Sequence, residues 1–535
     1  VFVAPSEKWG DPRAKLLQGG AWAAARPQVC HSLDRSTDPA AELDALRQQL
    51  DGRYRRTAEN LATNPYVRVE KDKNKDKAKG RDTVVITPVD RLDEPDSLKT
   101  LRAEVASRLP RVDLPDAILE VQRWTGFLDD LTHLSESNAR VDDLATSLCA
   151  VLVAEACNIG LEPVVRRDRP AQTRDRLQWV KQNYVRSETI LRANARLVAA
   201  QSRIALAQVW GGGEVASADG LRFKVPVRTI NASSNPRYFH HGAGATYFNF
   251  TSDQFSGLHY LVIPGTLKEG PYLLAGLLEQ QTSLQPREIM TDTASYSDQL
   301  FGLFWLLGYQ FSPRLADAGG ARLWRLDPMA DYGPLNEVSR HRIDTRLITH
   351  HWDDLLRVAG SLKMHTVGAV ELMQALQGGS RASSLARAIA EVGRIAKSLY
   401  LLDYYDDESY RRRILTQLTR GERRHNLARA VFHGRKGELR QRYREGQEDQ
   451  LGVLGLVMNV LVLWTTQYME LALADLRAQG SVIKEEDLAR LSPLGYKHIH
   501  LLGRYHLAVA DVVARGEFRP LRDAAEPEDD EDYAA

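Results

Sequence analysis

The sequence predicts an α/β core embedded in a mainly α-helical, multidomain chain. Residues 210–326 contain β-branched and aromatic runs separated by Gly, Asn and Asp, which is typical of strands. Most of the remaining chain places its apolar residues at helical spacing. The 535 residues also exceed the roughly 250–300 that one hydrophobic core supports, so we expect several structural units.

Composition excludes several classes of protein. With 43% hydrophobic and 26% charged residues, the chain resembles globular proteins that work in solution rather than disordered, collagen-like or multi-span membrane proteins. The three cysteines, Cys30, Cys149 and Cys157, are too few for a disulfide framework and are not spaced for a zinc cluster, which favours a reducing cytoplasm. Cys149 and Cys157 would share one helical face, and we expect them to be core thiols rather than ligands. The formal charge of +1 gives no overall argument for a nucleic-acid partner, so only local clustering can supply one.

The first two predicted regions are helical. Residues 1–113 form a mixed, largely helical segment, with a helix over 38–64, a charged, solvated linker or tip over 69–82 and a short strand, TVVITPV. Residues 114–209 form a helical scaffold or dimerisation region that ends in one long helix over 174–208. No secretory signal is visible at the first residues, VFVAPSEKWG.

The predicted core follows in the order β-β-β-α-β-α-β. Its three consecutive strands are VASADGLRFKVP, ATYFNFTS and LHYLVIPG, and its second helix begins at Ser297 or Asp298 as N-cap. A later helix makes the order β-β-β-α-β-α-β-α, which is that of the ribonuclease-H-like fold. The later segments are a helical insertion over 327–408, the last core helix over 409–446, a C-terminal helical region over 447–515 and an acidic, disordered tail over 516–535.

The most apolar stretch, 451–464, is about 14 residues long and contains Asn459. It falls short of the ~20 residues that a membrane-spanning helix needs, so we interpret it as a buried helix and expect no membrane partner.

Active sites of the ribonuclease-H-like fold use carboxylates that hold two metal ions for displacement at a phosphate. Asp219, in the first core strand, is one candidate, although Asp-Gly is also a strong hairpin-turn signal. Asp292 follows the fourth strand, where functional carboxylates of α/β sheets are common, and its rival Asp298 is better explained as a helix cap.

The third carboxylate is expected in a basic segment over 411–444. Its positively charged residues are eleven arginines and Lys436, and its only acidic residues are Glu422 and Glu438. Glu422, His425 and Arg429 share one helical face. The arginines could simply form a solvated charged face, whereas an acid surrounded by guanidiniums is also what a metal ligand beside a DNA backbone would look like.

Four blocks of this sequence resemble the catalytic half of Tn3-family transposases: YFHHGAGATYFNFTSDQFSGLHYLVIPGTL, MTDTASYSD, RGERRHNLARAVFHGRKGELR and LSPLGYKHIHLLGRYHL. The helical region that precedes the core is similar as well, so the resemblance covers 114–507. It implies a DDE transposase that cleaves DNA at the 3′ ends of its element and joins them to target DNA, giving a cointegrate.

The resemblance also implies residue roles. The family's three acidic blocks fall on Asp219, Asp292 and Glu422, which would be the catalytic residues and the ligands of two Mg²⁺ ions, with Mn²⁺ expected to substitute. The expected DNA contacts are Arg423, Arg424, His425, Arg429, Arg435 and Lys436, although a structural role for His425 is an equal alternative. The expected partners are transposon-end DNA, target DNA and a second copy of the chain, in a bacterial cytoplasm and at the nucleoid during activity.

A second functional hypothesis stays open at this stage. Family members are commonly near a thousand residues long, with N-terminal modules that recognise the element's ends, and no such region precedes Val1. The chain could therefore be a catalytically incompetent DNA-binding fragment that inhibits the full-length transposase. A helical scaffold protein is a more distant alternative, because a scaffold would not need three acids at metal-binding positions.

Overall fold

A computed structural model describes residues 16–71, 82–90, 92–135, 142–240, 242–265, 269–293, 296–315, 317–377, 383–503, 505, 507 and 510–523. Most of the charged run over 69–82, predicted to be a linker or tip, lies outside the described residues. So does most of the acidic tail, which was predicted to be disordered.

The helices are α1 Gly19–Leu33, α2 Pro39–Asn60, α3 Asp96–Arg108, α4 Leu114–Thr125, α5 Leu144–Ala156, α6 Arg174–Tyr184, α7 Ser187–Gln201, α8 Ala205–Trp210, α9 Pro236–Phe239, α10 Gly270–Glu279, α11 Asp298–Leu306, α12 Thr345–His350, α13 Trp352–Lys363, α14 Ala369–Gln377, α15 Ser384–Asp406, α16 Glu408–Val431, α17 Arg444–Ala478, α18 Glu485–Leu488 and α19 Asp511–Ala514. The strands are β1 Val67–Lys71, β2 Asp82–Ile86, β3 Val112–Asp113, β4 Val215–Val225, β5 Ser233–Ser234, β6 Ala243–Ser252, β7 Gly257–Pro264, β8 Glu288–Thr291, β9 Gln310–Pro313, β10 Trp324–Arg325, β11 His341–Arg342 and β12 Ile499–His500.

The chain divides into two compact units, each made of separate stretches of sequence. The first unit comprises Val1–Arg91, Lys268–Glu279 and Arg287–Leu418. The second unit comprises Leu92–Leu267, Gln280–Pro286 and Thr419–Ala535.

The first unit is mainly helical and contains the parallel pair β8 and β9 and the antiparallel pair β1 and β2. Helix α2 begins where the side chain of Asp38 accepts a hydrogen bond from the amide of Ala40 at 3.0 Å. Its apolar residues recur at helical spacing and are buried, and the ring of Tyr54 at its end stacks on Tyr332 at 4.3 Å. Helix α15 packs against both α2 and α11.

The second unit contains an antiparallel sheet with β6 at its centre. Strand β4 pairs along one side of β6, and β7 and the short β5 pair along the other. Nine of the ten residues of β6 are buried, because both faces of the strand are covered. The three strands predicted from alternating β-branched and aromatic runs are confirmed, including their antiparallel order.

The core of the second unit is built around α17, which packs against α4, α5, α7 and β7. Gly452 and Gly455 face the sheet, where a Cβ would collide with the hydroxyls of Tyr260 and Tyr247. These two glycines therefore let the helix approach the sheet closely. The predicted buried helix over 451–464 is confirmed, and it extends to 35 residues.

Helix α17 is long and apolar enough to cross a membrane, but 94% of its most apolar window is buried inside the protein. The predicted burial of Cys149 and Cys157 is confirmed, and Cys30 is buried as well.

Two interpretations of the sequence are wrong. The single helix expected over 174–208 is three helices, α6, α7 and α8, because the backbone is extended at Val185 and Arg186 and again at Ile204. The hairpin-turn alternative for Asp219 and Gly220 also fails, because both residues lie inside β4 and pair with β6. The segment boundaries expected from the sequence stay predictions.

Candidate active site on strand β4 and helix α16

Asp219 lies in the middle of β4 and presents a solvent-accessible carboxylate. Its side chain is 34% exposed in a strand whose residues are mostly buried. One carboxylate oxygen accepts a hydrogen bond from the backbone amide of Gly220 at 2.7 Å. The strand thus fixes the backbone of Asp219 and leaves its carboxylate accessible to water or a ligand.

Helix α16 lies against the face of β4 that carries Asp219. A Cβ built on Gly421 would lie 3.5 Å from Oγ of Ser217, and Nδ1 of His425 lies 3.4 Å from Oδ2 of Asp219. Ser217 and Asp219 are two residues apart and share a face of the strand, while Gly421 and His425 are one turn apart on the helix. The helical turn that contains Glu422 therefore lies over the strand that carries Asp219.

His425 connects this helix to two strands. Its Nε2 is 2.7 Å from the amide nitrogen of Asn249, the residue directly opposite Asp219 in β6. An amide nitrogen can only donate, so Nε2 accepts and the ring proton lies on Nδ1, towards the Asp219 carboxylate. The same amide donates to the carbonyl oxygen of Asp219 at 3.3 Å, and Thr251 donates to the Asn249 side-chain oxygen.

The protonation state of His425 follows from its burial. Burial, with smaller contributions from the guanidiniums of Arg429, Arg424 and Arg222, lowers the pKa of His425 to about 3. The imidazole is therefore neutral at pH 7, and it is buried against protein groups. This placement corrects the expected DNA contact of His425 and supports the structural alternative.

Arg424 is also placed differently from the expectation. It is 1% exposed, and its guanidinium donates to the carbonyl of Phe255 at 3.0 Å and to Oδ1 of Asn459 at 2.7 Å. Asn459 also accepts from the amide of Gly257 at 2.8 Å and donates to Asn194 at 2.5 Å. The DNA contact expected of Arg424 is therefore corrected, because this side chain joins α16 to α17 and the sheet inside the core.

The neighbouring residues Glu422 and Arg423 lie on the solvent side of α16, and so does Arg429. Arg435 and Lys436 are exposed in the turn that follows the helix, where both adopt left-handed backbone conformations with φ of 50° and 59°. Buried Asn158 holds both ends of this turn, because its amide donates to the carbonyls of Gly434 at 2.8 Å and Glu438 at 2.9 Å. The turn therefore holds two basic side chains at the surface.

Asp292 belongs to the first unit, where it is exposed and directly follows β8. Its rival Asp298 begins α11 and forms ion pairs with Arg394 and Lys397 of α15, each at 3.2 Å. The side chain of the N-cap residue Ser297 accepts from the amide of Leu300, so Ser297 and not Asp298 caps this helix. The ion pairs of Asp298 account for its charge without a metal.

The chemistry of the candidate ligands fits Mg²⁺, since Asp219, Asp292 and Glu422 offer only carboxylate oxygens. Among the described residues, no group of three His, Cys, Asp or Glu side chains is placed to hold a metal ion by itself. Mg²⁺ sites that process nucleic acids commonly combine one or two carboxylates with substrate phosphates and water rather than use an all-protein cage.

Comparison with known proteins adds the deciding observation. A family model described as the Tn3 transposase DDE domain matches residues 116–505, which include Asp219, Asp292 and Glu422. The chain belongs to the Tn3 transposase DDE domain family. The resemblance that the four sequence blocks indicated is confirmed.

Curated relatives agree with this assignment. The chain is 53% identical over 522 residues to the transposase for transposon gamma-delta of Escherichia coli K12, a match that covers 97% of this chain and 51% of the relative. It is 44% identical over 529 residues to the transposase for Tn4556 of Streptomyces fradiae, covering 99% and 58%, and 33% identical over 529 residues to the transposase for Tn501 of Pseudomonas aeruginosa, covering 98% and 52%. The chain thus spans about half the length of these relatives.

Proposed function

We propose that this chain is the catalytic half of a Tn3-family DDE transposase. It would cleave DNA at the 3′ ends of its element and transfer those ends to target DNA in replicative, cointegrate-forming transposition. Its five longest core strands and α16 would form a ribonuclease-H-like core with a helical insertion. It would act in the bacterial cytoplasm and at the nucleoid.

The observation that carries this proposal is the packing of α16 against β4 in a member of this family. The helical turn 421–425 contacts the strand face that carries Asp219, while Glu422 itself remains exposed. A carboxylate that is exposed within a well-packed framework is available to a metal and a substrate, and the rigid elements on either side define its position.

We assign Asp219, Asp292 and Glu422 as the metal-ligating, catalytic acids. When bound, two Mg²⁺ ions would supply activation of the attacking oxygen and stabilisation of the leaving oxygen. The chain's own contribution is to orient the carboxylates. The Nδ1 proton of neutral His425 points towards Asp219 and disfavours other orientations of that carboxylate.

For DNA binding, we retain the exposed basic residues Arg423, Arg429, Arg435 and Lys436 and leave out Arg424 and His425. Exposed guanidinium and ammonium groups can neutralise backbone phosphates without recognising sequence. We also propose that two copies of the chain act together, since an element has two ends and a two-fold symmetric pair supplies two identical sites.

The test is strand cleavage and joining on a pre-nicked transposon-end duplex with Mg²⁺ or Mn²⁺. Asp219→Asn and Asp292→Asn are expected to abolish both reactions, whereas Asp298→Asn and Glu438→Gln serve as matched controls that retain them. Absence of metal-dependent cleavage in the unmodified chain, together with tight DNA binding, would instead support the inhibitory-fragment hypothesis.

A further inference from the structure

A second surface of the second unit has features that the proposed chemistry does not use. It consists of residues 228–231, in the loop after β4, and residues 440–444, which lead into α17 and include its first residue. The hydroxyl of Thr229 donates to the carbonyl of Arg442 at 2.5 Å, and the side-chain amide of Asn231 reaches the same carbonyl at 3.4 Å. We call these two joined segments the paired tip.

Both segments of the paired tip are anchored in the protein. Val227 and Ala232, on either side of the first segment, pack against the core of the unit. Leu439, before the second segment, is buried, and its amide donates to the carbonyl of Lys224 at 2.9 Å. Gln447 of α17 donates to the carbonyl of Gln441 at 3.0 Å. The tip is therefore a supported projection of the fold.

The paired tip exposes two large apolar side chains. Ile230 is 96% exposed and Tyr443 is 76% exposed, although the apolar residues beside them are packed inward. Ile230 lies between Thr229 and Asn231, which both contact the carbonyl of Arg442, the residue before Tyr443. The hydrogen bonds that join the segments thus bring the two apolar side chains to the same projection.

Positive charge surrounds these apolar groups. Arg228, Arg440, Arg442 and Arg444 are all exposed, and the two segments of the tip contain no acidic residue. Arg440 and Arg444 form ion pairs with Glu438 at 3.0 Å and Glu448 at 2.7 Å, outside the segments, so the net positive charge of the tip comes from Arg228 and Arg442. Guanidiniums bind phosphates, and an apolar or aromatic side chain flanked by them can enter a base step or stack on an exposed base. The charge and shape are therefore complementary to DNA in which a base step is open.

Two other binding partners, a second copy of the chain and a membrane, fit the paired tip less well. In a two-fold symmetric contact between copies, Arg228 and Arg442 of one tip would face the same two arginines of the other, which is unfavourable. Peripheral membrane binding generally uses the broad apolar face of an amphipathic helix, whereas this tip offers one isoleucine and one tyrosine on two short loops.

We infer that the paired tip binds DNA at an unstacked base step, with its arginines on the flanking phosphates and Tyr443 stacked on the exposed base. Ile230 occupies the gap beside that base. The inference rests on the proposed function and adds a substrate class to it, namely DNA that is mismatched, nicked or locally opened. Tyrosine suits this role because stacking on a base tolerates any sequence.

The experiment compares binding of the 535-residue chain to two duplexes of equal length, one fully paired and one with a two-base mismatch, each with 2-aminopurine at the central step. The unmodified chain is expected to bind the mismatched duplex about tenfold more tightly and to change the 2-aminopurine fluorescence. Tyr443→Ala is expected to lose this preference while keeping the salt dependence of binding, and Tyr443→Phe is expected to retain it. Ile230→Ser should weaken the preference, whereas Val482→Ser, at another highly exposed apolar position, should not.

If the unmodified chain and Tyr443→Ala preferred the mismatched duplex to the same extent, the inference would be overturned. So would a Tyr443→Ala variant whose main defect is a change from dimer to monomer in sedimentation, or loss of binding to anionic vesicles, because the tip would then serve another partner. The proposed function fails separately, if the unmodified chain binds no DNA or performs no metal-dependent strand joining.

Discussion

Helix α16 carries two neighbouring arginines with opposite environments. Arg423 is exposed to solvent, whereas Arg424 is buried and donates to protein carbonyl and amide oxygens. The same division separates exposed Glu422 from buried His425. In sequence these residues form one basic segment, but in the structure one side of the helix is buried in the fold and the other faces solvent. Single substitutions on each side can test this division.

The largest effect on stability is expected at Arg424. Arg424→Met leaves the buried carbonyl of Phe255 without its donor, which costs about 1–3 kcal/mol, and removes a charge-assisted hydrogen bond to Asn459, whose side-chain oxygen still accepts from the amide of Gly257. We therefore expect a loss of roughly 2–4 kcal/mol in the free energy of unfolding. Chemical denaturation measures it. Arg423→Met is the matched control and should change stability by less than about 0.5 kcal/mol. Equal stabilities of the two variants would contradict the division of α16 into a buried side and an exposed side.

His425 lies where the two sides of the helix meet. His425→Phe removes the contacts with Asn249 and Asp219. One N–H of the Asn249 amide then loses its acceptor while the amide still donates to the carbonyl of Asp219, so we expect a loss of about 1–3 kcal/mol. We also expect the Mg²⁺ concentration for half-maximal strand joining to rise about tenfold, since residues that orient metal ligands typically affect metal affinity to this extent. A variant that loses stability but keeps its Mg²⁺ requirement would limit His425 to a structural role.

On the exposed side, the expected effect is on DNA affinity and is smaller. Arg423→Met should weaken duplex binding several-fold and reduce the slope of log affinity against log salt by about 0.9, the value for one lost phosphate contact. Sequence preference should not change. Titrations between low and moderate salt measure the slope, and a slope equal to that of the unmodified chain would show that Arg423 makes no phosphate contact.

The last expected effect is a change in the pH dependence of stability at a carboxylate beside helix α16. Asp253 lies in the loop between β6 and β7, next to Arg420 in the middle of α16. Burial raises the pKa of Asp253 to about 6, although Arg420 and backbone amides oppose the shift. Because the folded state then binds more protons than the unfolded state between about pH 4 and pH 6, this group makes stability fall as pH rises through that window. Asp253→Asn should flatten this part of the profile of unfolding free energy against pH. An unchanged profile would contradict the assignment.

The sequence predicted the secondary-structure elements better than it predicted which side chains are buried. Runs of β-branched and aromatic residues predicted β4, β6 and β7, because this pattern is local. The burial of Arg424 depends on Asn459, which is 35 residues away, so no local pattern distinguishes Arg424 from Arg423. The one available signal was Asn459 itself, since a polar residue within an apolar helix requires a buried partner. Likewise, Asn249 became recognisable only when strand pairing placed it opposite Asp219.

The central claim is that Glu422 serves the reaction and contributes little to the fold. The most direct measurement is Mg²⁺-dependent joining of a pre-nicked transposon end by Glu422→Gln, with thermal unfolding recorded on the same preparation. We predict a melting temperature within about 2 °C of the unmodified chain, since exposed substitutions change stability little, and a rate of joining reduced at least about 1000-fold, since metal ligation contributes several kcal/mol. A variant that joins ends within tenfold of the unmodified rate would contradict the account.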